Sequence, residues 1–67
     1  MQLGVVTSAE RAILRRLADG MTSKEIADEL SLSYRTVQNH RANLCAKLKL
    51  RGTNKLLAFA VEHRHSL

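Results

Sequence analysis

The sequence predicts an all-α fold, one small domain of four helices with a tight helix-turn-helix between the second and the third. Three observations predict it. Proline is absent, Ala, Leu, Lys, Arg and Glu recur, and no stretch shows the sustained apolar-polar alternation of a strand. Hydroxyl side chains stand where four amphipathic runs begin, at Thr7, Thr22, Ser33 and Thr53. The chain has 67 residues with 45% hydrophobic content, enough for one core and one domain but not for an enclosed substrate cavity of ordinary size.

The punctuation sets the helices at about 8–18, 23–30, 34–48 and 54–63. Thr7-Ser8-Ala9-Glu10 forms a capping box, in which the hydroxyl accepts an orphan amide and Glu10 reaches back to the cap. Asp19-Gly20 stops that helix, glycine supplying a left-handed residue. Thr22-Ser23-Lys24-Glu25 is a second capping box, flanked by Met21, which is placed to staple onto Ile26. Ser33 caps the third helix, with Leu32 placed to staple onto Val37, so that helix starts only three residues after Leu30 and the chain must turn sharply. Thr53, after Gly52, is the expected cap of the fourth. The domain is expected over 6–63, with 1–5 and 64–67 as flexible ends.

Charge is unevenly placed. Between Leu30 and Val61 there are six Lys or Arg and no acid, whereas the first thirty residues hold five of the six acids. A net charge of +5 and a pI near 10.2 draw such a chain to polyanions. A single cysteine excludes an intrachain disulfide and a CxxC metal pair, and suits a reducing cytosol. No apolar run approaches a membrane span of about 18 residues, and the start lacks an apolar signal segment, so a cytoplasmic protein without a membrane partner is expected.

On a helical wheel at roughly 100° per residue, Val37, Leu44 and Leu48 fall within about 20° of one line and must face the core. Arg35, Gln38, Asn39, Ala42, Ala46 and Lys49 lie on the opposite side. Gln and Asn can pair bidentately with adenine and Arg with guanine in the major groove, and Arg35, Gln38 and Asn39 stand near the helix start where such contacts form. Thr36, Asn43 and Lys47 share one flank along which a phosphate strand could run. Ser23 and Lys24, at the start of the second helix, suit another phosphate. A merely solvated helix face is the plain alternative; the acid-free stretch, the tight turn and the amide pair together weigh against it.

Thr7, Glu10, Ile13, Leu14, Leu17, Gly20, Lys24-Glu25-Ile26-Ala27, Leu30, Ser33, Thr36-Val37, His40 and Lys47-Leu48 resemble, at matching spacing, the LuxR/FixJ (NarL)-type helix-turn-helix. That is the output domain of many bacterial response regulators and quorum-sensing regulators, and the resemblance covers about 6–61. It implies a third helix that recognises DNA in the major groove and a fourth helix that pairs two copies. It also implies base reading by Gln38, Asn39 and Ala42. The departures are specific: Gln38 replaces a frequent lysine, Ala42 offers only a methyl group, Lys49 stands where many members end the helix with glycine, and Thr53 where many have arginine.

The fourth helix has an apolar arc of about 200°, wider than a single core-facing stripe requires. Either the first helix covers the excess, or Asn54, Leu57, Ala58 and Val61 meet a second copy in a weak homodimer on DNA. RNA polymerase is a further candidate partner. His40 and Cys45 sit beside the core stripe and are expected to pack there rather than bind a ligand. No catalytic set, metal cluster, cofactor motif or small-molecule site is visible, so an enzyme is not expected. The expectation is therefore sequence-specific binding of double-stranded DNA by a transcription regulator. Two alternatives stay open, a helical protein-interaction module and a sigma-factor-like promoter-binding domain.

Overall fold

The three N-terminal helix starts form where a hydroxyl can accept the orphan amides. In the computed structural model, which describes residues 2–51 and 54–67, α1 spans Ser8–Ala18, α2 Ser23–Leu30, α3 Tyr34–Leu48 and α4 Lys55–Glu62. Both capping boxes are closed. Thr7 Oγ1 accepts from the Glu10 amide while Glu10 Oε1 accepts from the Thr7 amide, and Thr22 and Glu25 repeat the exchange. Ser33 accepts from the Thr36 amide, but with Thr36 at the third helical position there is no carboxylate to answer, and the two hydroxyls bond each other at 2.8 Å.

The ends of α1, α2 and α3 share one construction. In each, a left-handed residue (Gly20, Ser31, Lys49) is followed by an apolar residue whose amide reaches back five positions: Met21 to Arg16, Leu32 to Ala27, and Leu50 to Cys45. Met21, Leu32 and Leu50 then pack against the core. Because Met21 and Leu32 also directly precede a capping residue, each closes one helix and leads into the next. The α1-α2 and α2-α3 turns are thus built alike, and only the first uses glycine.

α4 begins at Lys55, one residue later than expected, and ends at Glu62. Asn54 stands at its cap in the left-handed region and makes no side-chain capping bond. Thr53, the expected cap, lies outside the described residues. The expected ends are partly built into turns: Gln2–Val5 and Arg64–Ser66 each form a short 3-10 turn. The second is held across α1, with Arg11 donating to Ser66 O, Arg15 to Leu67 O, and Arg64 to Ala18 O.

Ile13, Leu14, Leu17, Ile26, Val37, Leu44, Leu48, Leu56, Phe59 and Ala60 make one core. α4 packs chiefly on α1, and α3 on α2 and α1. The radius of gyration, 10.7 Å, is close to the value of about 11 Å for a compact chain of this length. There is no strand among the described residues, and none of their helices is long and apolar enough to cross a membrane.

Candidate nucleic-acid interface

α3 is buried along one narrow line. Val37, Leu44 and Leu48 are at most 2% exposed, and the residues on the far side, Arg35, Gln38, Asn39, Ala42, Ala46 and Lys49, are all exposed. Two amides, a guanidinium and a methyl-sized gap therefore stand together on the first three turns of a helix that is otherwise seated in the domain. Tyr34, at the start of α3, is also well exposed and lines an open concavity with Lys24, Arg41, Asn54 and Leu57.

The proposed phosphate flank divides. Asn43 and Lys24 are exposed, and the Lys24 side chain forms no ion pair or hydrogen bond among the described residues. Lys47 is engaged inward instead: its Nζ donates to Glu10 Oε1 at 2.8 Å and to Val5 O at 3.3 Å. Ser23 is buried, and its Oγ accepts from Arg41 Nη1. Thr36 is half-buried, with its hydroxyl against Ser33. Lys47 and Ser23 are thus already spent on the domain's own polar groups, because the flank of α3 that carries Lys47 lies against the start of α1, and Ser23 lies beneath Arg41.

Glu10 is the most buried charged group. Its side chain is only 4% exposed, and one oxygen, Oε1, accepts both the Thr7 amide at 2.9 Å and the Lys47 ammonium. Burial alone would raise its pKa, but the Lys47 hydrogen bond, the Thr7 amide and the Lys47 charge outweigh burial, and the carboxyl is held below its ordinary value.

The other basic side chains sort the same way. Arg16 pairs with Glu29 and Arg64 with Asp19, while Arg11, Arg15 and Arg41 donate to carbonyl or hydroxyl oxygens. Among the described residues Lys24, Arg35, Lys49, Arg51 and Lys55 make no such bond, so the basic side chains free of any such contact gather around the start of α2, the outer face and end of α3, and the start of α4.

The expected pairing residues of α4 remain outside the core. Leu57 is 37% and Val61 52% exposed, and Asn54 and Ala58 are exposed as well, whereas Leu56, Phe59 and Ala60 are buried against α1. α1 therefore covers one side of the apolar arc only. His63 closes α4 by stacking on Phe59, ring centroids 4.1 Å apart, and Cys45 packs half-buried beside the core. Sequence reasoning passed over Arg41, although its place about 40° from the Val37 line puts it at the core boundary.

Comparison with known proteins adds a family. The profile of bacterial regulatory proteins of the luxR family matches residues 5–60. The chain is 41% identical over 58 residues to the Fimbriae Z protein of Salmonella typhimurium, covering 87% of this chain and 28% of that protein. It is 38% identical over 64 residues to the DNA-binding transcriptional activator DevR/DosR of Mycobacterium tuberculosis, covering 96% and 30%. It is 56% identical over 43 residues to the transcriptional regulatory protein UhpA of Escherichia coli, covering 64% and 22%. The chain thus spans a little over a quarter of the length of the relatives it matches over most of its own. No solved structure gives a significant match.

Proposed function

The chain belongs to the luxR family of bacterial regulatory proteins, a family of helix-turn-helix regulators and not of enzymes, and from that membership we propose that it binds double-stranded DNA sequence-specifically as the output domain of a transcription regulator. The observation that carries this is the outer face of α3, where Arg35, Gln38, Asn39 and Ala42 stand exposed on a helix whose opposite edge is fixed in the core. α3 lies in the major groove. Gln38 and Asn39 take base edges through their amides, Arg35 takes a guanine or an adjoining phosphate, and the Ala42 methyl admits close approach or meets a thymine methyl.

Lys24 and Asn43 hold phosphates on either side, with Thr36 at the margin. Arg35, Lys49, Arg51 and Lys55 add an attraction that fixes no sequence. Two copies pair on the DNA through Asn54, Leu57, Ala58 and Val61, whose exposure supports a second-copy contact. RNA polymerase is a further proposed partner, and the bacterial cytoplasm the proposed place of action.

In vitro selection of bound duplexes tests the proposal. The recovered motif and its half-site spacing report base preference and pairing together. Gln38→Ala should then relax discrimination at one or two base pairs by about 1–3 kcal/mol while leaving binding to scrambled duplex in place. Equal affinity for selected and scrambled duplex in the unaltered protein would sink base reading. Loss of function through Leu57 or Val61 with no salt-dependent DNA binding would instead identify a protein-interaction module.

A further inference from the structure

A narrow apolar stripe does not by itself fix the angle at which a helix presents its outer face. Val37, Leu44 and Leu48 lie within a band of about 40° around α3, and so narrow a line of packing has less leverage against a roll about the helix axis than contacts set to either side of it. On either side of the stripe stands one directional polar contact to another helix. Arg41, about 40° to one side, donates to the buried Ser23 Oγ at the start of α2. Lys47, about 80° to the other side, donates to the buried Glu10 carboxylate near the start of α1 and to Val5 O. Gln38, Asn39, Ala42 and Arg35 lie between the two by the long way round, on the far face.

We propose that Arg41-Ser23 and Lys47-Glu10 are a pair of opposed tethers that set the roll of α3, and that Lys47, Glu10, Arg41 and Ser23 are thereby positioning residues for sequence discrimination without touching DNA. The proposal rests on α3 being the base-reading helix. Glu10 suits the role: its oxygen is also fixed by the Thr7 amide, so the acceptor for Lys47 is part of the α1 cap and does not swing. Ser23 suits it too, being buried in the first turn of α2. Releasing one tether leaves the core in place and lets α3 roll toward the freed side, which moves the amides off their bases while leaving phosphate attraction nearly unchanged.

Lys47→Met, which keeps the stem and removes the ammonium, and Ser23→Ala, which removes one hydroxyl, test the two sides separately. Affinities for the selected duplex and for a scrambled duplex of the same composition are measured across a salt series, well below each variant's melting temperature. The expected result is a selected-to-scrambled ratio lowered by about tenfold in each variant, the size expected when one bidentate base contact is misaimed. Scrambled-duplex affinity and its salt slope should stay at the unaltered values, and Lys47→Arg should recover most of the ratio. If Lys47→Met weakens both duplexes alike and reduces the log-log salt slope by about 1, Lys47 is a phosphate contact and the proposal falls. It falls as well if either variant only lowers the melting temperature and keeps the ratio. Should Lys47→Met not fold, Glu10→Gln, which keeps an acceptor for the Thr7 amide and removes the charge that holds Lys47, takes its place on that side with the same outcomes. An unaltered protein that fails to distinguish the two duplexes would refute base reading itself, a separate outcome.

Discussion

At Glu10 two demands meet on one oxygen, the closing of a capping box and the acceptance of an ammonium from a residue 37 positions later. Its pKa is depressed in the fold, so the stability it contributes is fully present above the ordinary carboxylate range and is lost as pH falls through the lowered folded value. Melting temperature should therefore drop as pH is taken from neutral to below about 4, and Glu10→Gln should flatten the part of that drop that belongs to this group. Lys47→Met leaves the carboxylate short of one partner and is expected to cost about 1–3 kcal/mol by thermal or denaturant unfolding. The Lys47 side chain stays about a third in water, which keeps the pair below the worth of a fully buried one.

At the scale of the element, starts and stops follow different rules. Thr7, Thr22 and Ser33 were legible as caps because a hydroxyl followed by an apolar period has few other uses, and all three accept the amide three residues on. The stop at Gly20 was legible for the same reason, whereas Ser31 and Lys49 carry no such mark and reach the left-handed region at φ near 57° and 56°. They do so because Leu32 and Leu50 gain burial when the chain turns there, a gain that depends on the core and not on the residue that turns. Lys49→Gly should raise stability by roughly 1 kcal/mol, since a side chain is disfavoured at that φ. In a chain of this size that is a rise in melting temperature of about 4–8 °C. Thr22→Ala should lower stability by about 1 kcal/mol, checked by the same unfolding measurement.

For the whole molecule, the charge division seen in the sequence acquires a shape. The basic side chains of α1 are turned to binding the Arg64–Ser66 turn and α2, and the cations without partners gather on α2's start, α3 and α4's start. DNA binding should accordingly weaken with salt at a log-log slope of about −0.9 for each phosphate neutralised, and Lys24→Ala should make the slope shallower on every sequence alike. Pairing through α4 should be separable from folding. Val61→Lys, about half exposed, is expected to leave the melting temperature nearly unchanged while weakening the two-copy complex on a two-site duplex, as read by sedimentation. Retention of that complex would remove α4 from the pairing role.

What the chain determined locally was the set of helices, the caps of the first three, the apolar edge of α3 and the exposed polar face opposite it, and these emerge because a cap and a helical period are completed within a few residues. The candidate readers Arg35, Gln38, Asn39 and Ala42 could be named for that reason, and all four are exposed. The partners of Lys47, Ser23 and Arg41 could not, because each contact joins two helices and is settled only when the core brings them together. A lysine on a flank looks the same in sequence whether solvent, a phosphate or a buried carboxylate awaits it. Packing α3 against α1 gave Lys47 its carboxylate, a partner that no stretch of sequence around Lys47 announces.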